Sequence, residues 1–376
     1  MQHFRHVWFQ RADRGLKTVL VALLIITFSF GFSSLAWAGE KRASIMPQGN
    51  AITDGSALLR YALPIDNYPI REVQSSLEDI GNHIRSKRWG PINSDLGKAS
   101  RVLSSRRDEI LASIPEDRKS DGEALLTEIT QGVNELRQAV EAKDREQVIP
   151  IKGEVLQKVG QIEKLMVKGF PFEVPEQYAN LPQLKGRATI EMETDKGNIT
   201  LVVDGYSAPV TAGNFVDLVE RRFYNGLEFT RSEESYVLQA GDPPGPEVGF
   251  INPDTGRYRN IPLEVLVKGD KLPTYAITLE DAGRFRDQPV LPFSAYGAIA
   301  MARSESDPNN ASSQFFFFLF EPELTPAGLN LLDGRYSVFG YVTEGKDVLR
   351  ELRQGDKIIS AKVVEGAGNL VQPTAS

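Results

Sequence analysis

The stretch "SSQFFFFLF" (312–320) sets four consecutive phenylalanines behind a Ser-Gln pair. A helix would scatter Phe315 to Phe318 around most of its circumference. A strand instead sends Phe315 and Phe317 to one face, Phe316 and Phe318 to the other. The run therefore predicts a strand with apolar surroundings on both sides. Period-two segments lie on either side of it. "ATIEMET" and "GNITLVVDG" alternate around Asp195-Lys196-Gly197-Asn198, a tight hairpin signal. "LEFTR", "SYVLQAGD", "YAITLED", "GAIAMAR", "YSVFGYV" and "KIISAKVVEG" read as further strands, while "APVTAGNFVDLVERRFYNG" is helical through Ala212, Phe215, Leu218 and Val219. Short strands with one or two helices suggest a closed barrel, which supplies the two apolar sides.

The chain upstream uses another alphabet. Gly39 to Gly169 contain no Phe, against fourteen in the residues that follow. At 376 residues two domains are expected. Val73, Leu77, Ile80 and Ile84 recur at helical spacing, as do Leu125, Ile129, Val133, Leu136 and Val140, and Val148, Ile151, Val155, Val159 and Ile162. Leu96, Leu103 and Ile110 are spaced by sevens. Pro69, Pro91, Pro115 and Pro150 fall at starts or breaks, and Asn93, Ser94, Ser120 and Asp121 are candidate caps. Four helices of about 20 residues with short connections predict an all-α bundle over 69–170. Residues 39–68 read as a flexible arm with a short helix near Ser56 to Leu63. "GFPFEVPEQYANLP" leads into a docked linker over 171–186.

The first 38 residues resemble an export signal: Arg5, Arg11, Arg14 and Lys17 precede the apolar run "VLVALLIITFSFGF", and Ala36-Trp37-Ala38 offers a small-x-small cleavage site. The rival reading, an uncleaved anchor, has a short run for a span. Those residues hold four basic side chains and one acid, so the remainder stands at −10 against −7 for the whole chain. An exported, acidic protein is a poor fit to nucleic acid. There is no Cys, and of three His only His83 lies beyond the signal. Thiol chemistry, histidine relays and zinc sites are therefore disfavoured.

"PVTAGNF" (209–215), "LEFTRSEESYVLQAGDP" (227–243), "GAIAMAR" (297–303), "SSQFFFFLF" and "LLDGRYSVFGYV" (331–342), in this order and spacing, resemble the cyclophilin family of peptidyl-prolyl isomerases. The resemblance covers about 185 residues from Arg187 onward. With the helical domain and export signal in front, the whole is similar to the large thylakoid-lumen cyclophilins of plants and cyanobacteria, a group associated with photosystem II assembly and repair. It implies a multi-domain chain: a helical bundle, then an eight-stranded antiparallel β-barrel (187–376) capped by two helices, with its substrate groove on the outer wall. Phe315 and Phe317 would fill the interior, and Phe316 would floor a proline pocket.

Prolyl isomerisation breaks no bond; it must overcome amide resonance, a barrier of about 18–20 kcal/mol. The twisted amide nitrogen gains a lone pair, so a fixed donor aimed at it helps only in the transition state. Arginine suits this, staying charged with a rigid fork of donors. No cofactor or metal is needed. By resemblance, Arg231 is the catalytic arginine and Gln239 positions it. Tyr236 and Val237 form the wall beside Phe316; Ala302 and Arg303 follow the peptide track with Gln314 opposite. Leu331, Leu332 and Tyr336 stand where many members carry Trp, Leu and His. The implied partners are proline-containing clients, photosystem II lumenal proteins among the candidates, in the thylakoid lumen or periplasm, with membrane contact only through clients or an uncleaved signal. Changes at Tyr236, Val237, Leu331 and Tyr336 keep open a second reading, a non-catalytic prolyl-peptide-binding module whose helical domain docks partners or masks the groove.

Overall fold

The structure is a computed structural model that describes residues 52–253, 255–320 and 330–373. The expected export signal and the first part of the expected arm lie outside the described residues. Among the described residues six helices lead: α1 (Gly55–Ala62), α2 (Tyr68–Arg85), α3 (Trp89–Ser105), α4 (Arg107–Ala112), α5 (Lys119–Glu141) and α6 (Arg145–Met166). The apolar stripes read from the sequence meet in one core, with Val73, Leu77, Ile80, Leu96, Ile129, Val133, Val159 and Ile162 all buried. Asn67 caps α2, its side chain accepting the Ile70 N–H at 3.0 Å, and Asp144 caps α6. The expected caps differ. Asn93 and Ser94 lie inside α3, which starts at Trp89 because Pro91 falls in its first turn, where a missing N–H costs nothing. Ser120 and Asp121 open α5 itself, since a 3₁₀ turn at Glu116–Arg118 runs straight into it.

The segment expected as an arm is docked where it is described. The ring of Tyr341 lies so close to α1 that a Cβ on Gly55 would stand 2.7 Å from its Cβ. Leu58 and Leu59 join an apolar cluster on the outer wall of the sheet. On the other side Arg60 pairs with Glu78 of α2 at 2.6 Å, and Arg71 donates to the carbonyls of Arg60 at 2.8 Å and Leu63 at 2.9 Å. Buried leucines and satisfied helix-end carbonyls fix this helix between bundle and sheet.

The second half contains β1 (Gln183–Leu184), β2 (Arg187–Thr194), β3 (Gly197–Asp204), α7 (Pro209–Glu220), β4 (Arg231–Glu233), β5 (Val237–Ala240), β6 (Ile251–Asn252), β7 (Arg257–Tyr258), β8 (Glu264–Val265), β9 (Thr274–Tyr275), β10 (Ala298–Met301), β11 (Phe315–Phe318), β12 (Val338–Glu344), α8 (Lys346–Glu351), β13 (Ile358–Glu365) and β14 (Leu370–Val371). Eight strands form one antiparallel sheet in the order β13-β2-β3-β12-β10-β11-β5-β4. Its ends meet: Phe229 N–H donates to Asp356 O at 2.8 Å and Ile358 N–H to Leu227 O at 2.9 Å. The linker's β1 pairs with β14. "YAITLED" is not a barrel strand. Only Thr274–Tyr275 is extended, paired with β8, and Leu279 packs with Leu263, Val265 and Val267 in a separate small cluster. Of its alternating residues only Leu279 joins that satellite core; Tyr275 packs on the main core and Ile277 is exposed.

All four phenylalanines of β11 are buried, and the two faces go to two clusters. Phe315 and Phe317 pack inside with Phe215, Tyr224, Phe229 and Phe339. Phe316 and Phe318 pack outside with Val237, Phe293, Val338 and Tyr341.

Candidate active site

Strand register builds the site. Arg231 on β4 lies opposite Gln239 on β5, Gln239 opposite Phe316 on β11, and Phe316 opposite Ala300 on β10. One row thus carries a guanidinium, an amide and an aromatic ring on the outer face. Arg231 and Phe316 are two strand spacings apart, about 10 Å across the sheet.

The ring of Phe316 is 5% exposed. Phe293, from the segment before β10, stacks on it with centroids 6.0 Å apart and planes 3° from parallel. Tyr336 meets it edge-on at 5.4 Å. Val237 is buried beside it, with Ala302 and Leu332 packed on the same cluster. Tyr236 is more open and touches Phe318 at 6.0 Å. Leu331 is apart from them, 88% exposed. Arg303 lays its guanidinium over the Tyr336 ring at 5.1 Å and donates from Nε to Arg335 O at 2.8 Å. Beyond the apolar surface a hollow of about 460 Å³ is lined by Gln239, Gln314, Val248, Tyr258, Ala302 and Arg303 among others.

The polar end has a defined direction. Gln314 donates from Nε2 to Asp242 Oδ1 at 2.9 Å and Val248 O at 2.8 Å. Its Oε1 therefore turns to Gln239, whose Nε2 donates to it at 2.6 Å. Carboxylate and carbonyl oxygens only accept, so Asp242 and Val248 fix the Gln314 amide and through it the Gln239 amide, whose Oε1 is left as an acceptor. The Arg231 side chain, 55% exposed, is engaged elsewhere. Its Nε donates to Glu233 Oε1 at 2.9 Å, with Nη2 on the same oxygen. The expected contact from Gln239 to Arg231 is therefore replaced by one from Glu233, two residues along and on the same strand face.

Around the site, Asp333 accepts the Phe293 N–H at 2.8 Å and the Asn330 N–H at 3.2 Å, tying the "LLDG" turn to the stacking ring. Burial pushes its carboxyl up to about 6.

Comparison with known proteins places this geometry. The cyclophilin-type peptidyl-prolyl cis-trans isomerase model matches residues 189–367, and the PsbQ-like domain model of CYP38-like isomerases matches residues 54–167. A Synechocystis protein, named as a candidate thylakoid lumen peptidyl-prolyl cis-trans isomerase, is 57% identical across 95% of this chain and 96% of its own. The chain belongs to the cyclophilin-type peptidyl-prolyl isomerases. In this cyclophilin the helical half is PsbQ-like and the barrel half is the isomerase domain. Arabidopsis chloroplast CYP38 is 47% identical over 88% of the chain and 78% of its own length. Arabidopsis chloroplast CYP37 is 32% identical over 97% and 82%.

Sequence reasoning missed Glu233, Asp242 and Phe293. Glu233 was detectable, since i and i+2 share a strand face. Phe293 stands in a loop, where no periodicity marks it.

Proposed function

We propose that this cyclophilin isomerises prolyl bonds with Arg231 as the donor to the twisted amide nitrogen. Gln239 is its positioning acceptor, and Phe316, Val237, Leu332 and Tyr336 form the proline-binding surface. The observation that carries this reading is the row Arg231–Gln239–Phe316, set by register on one outer face. A charge-assisted hydrogen bond contributes about 1.5–3 kcal/mol, about ten- to a hundredfold in rate. The apolar surface supplies the desolvation that weakens amide resonance. Ala302, Arg303 and Gln314 hold the flanking peptide, with Tyr236 and Leu331 at the margin.

Export into the thylakoid lumen is supported by the similarity to a candidate lumenal isomerase and a chloroplast one; its proposed clients are proline-containing lumenal segments, photosystem II subunits among them. A second reading, a prolyl-peptide-binding module, is favoured by one observation: the Arg231 guanidinium is held by Glu233. A protease-coupled assay on a proline tetrapeptide decides between them. The full chain is expected to be active, and Arg231→Ala to lose ten- to a hundredfold in kcat/KM. Peptide binding without turnover would establish the binding module instead.

A further inference from the structure

The same strand that presents the arginine also presents a competitor for it. We propose that Glu233 is a positioning residue that parks the Arg231 guanidinium away from the substrate, so that turnover requires its transfer from the Glu233 carboxylate to the Gln239 amide oxygen. This rests on the assignment of Arg231 as the donor.

Three observations carry it. First, Arg231 and Glu233 occupy one face of β4, and both Nε and Nη2 converge on Glu233 Oε1. Donors committed to a carboxylate are unavailable to an amide nitrogen, and the adjacent negative charge offsets the field that a developing lone pair would feel. Second, a receiving acceptor is already built. Asp242 and the Val248 carbonyl orient Gln314, Gln314 orients Gln239, and register sets Gln239 directly opposite Arg231 with its Nε2 committed and its Oε1 left as an acceptor. Among the described residues nothing donates to that oxygen. Third, the parked state is weakly held. Both partners are about half exposed, 55% and 47%, so water and salt compete with the ion pair. The two acceptors, Glu233 and Gln239, thus define two rotameric positions of one side chain.

The test is a steady-state comparison of the full chain with Glu233→Gln, Glu233→Ala, Arg231→Ala and the double variant Arg231→Ala/Glu233→Gln, on one proline tetrapeptide at low and high salt. Removing the carboxylate is expected to raise kcat/KM about two- to five-fold, the range of an exposed ion pair, with the gain in kcat rather than KM. The double variant is expected to match Arg231→Ala, because the gain acts through the guanidinium. High salt is expected to speed the parent chain and leave Glu233→Gln unchanged. If Arg231→Ala slows the reaction but Glu233→Gln and Glu233→Ala are no faster than the parent, the parking role is refuted and the arginine assignment stands. If Arg231→Ala changes nothing, or if parent and Glu233→Gln are both inactive, the arginine assignment fails and the parking role with it. A rate gain that persists in the double variant also overturns the proposal.

Discussion

At the scale of single residues, the proposed site divides into groups assigned to the peptide and groups that aim them. Asp242 belongs to the second kind. Its carboxylate only accepts, so with the Val248 carbonyl it sets the direction of a two-amide relay ending at Gln239, opposite Arg231. Asp242→Asn weakens one of the two acceptors that hold Gln314 Nε2, the Val248 carbonyl being the other, and so loosens the relay. The expected result is a three- to tenfold fall in kcat with unchanged melting temperature, read by kinetics beside calorimetry. Phe293→Ala should open the face of Phe316 that its ring now covers. A weaker KM for the tetrapeptide would mark Phe293 as part of the pocket wall, and a tighter one would mark it as a cover. We expect the weaker KM, because the stacked pair presents a larger apolar surface than Phe316 alone.

Among elements, α1 is the one whose role depends most on fit. Gly55 lies against Tyr341 with no room for a methyl. Gly55→Ala should lift the helix from β12 and lower stability by about 1–3 kcal/mol, measured by denaturant unfolding. Gly97, within α3, has open space around its would-be Cβ. There Gly97→Ala should stabilise by about 0.5–1 kcal/mol, since only helix propensity changes. The opposite signs of two identical substitutions would separate packing from propensity. The four long helices were legible because each repeats one apolar face. The docking of α1 was not, because eight residues with two leucines fit many surfaces.

In the whole molecule, burial leaves a pH signature. Glu163 of α6 is buried beneath Arg71, whose Nη1 donates to it at 3.1 Å. Desolvation outweighs the cations and raises its carboxyl to about 7. In the unfolded chain the same group titrates near the ordinary Glu value, about 4.3. Between those values the folded state binds the extra proton, so stability is greatest below the lower one and falls as pH rises through about 7. Glu264, buried against the first turn of α7 and also raised to about 7, acts in the same sense. Warming scans at pH 5.5 and pH 8 should therefore give the higher melting temperature at pH 5.5 for the full chain. Glu163→Gln should narrow the gap by a few degrees.

The sequence by itself determined the two alphabets of this protein, a Phe-free set of helices followed by aromatic-rich strands. It also determined the opposite faces of Phe315 and Phe316, because periodicity is a local property of helix and strand. Family motifs carried the positions of Arg231, Gln239, Gln314 and Phe316, and register brings Arg231, Gln239 and Phe316 into one row. Only the tertiary structure decided which acceptor holds the guanidinium, which ring covers Phe316 and where α1 rests. Those depend on groups distant in sequence meeting within hydrogen-bond or van der Waals range, and a range of a few ångströms is set by packing.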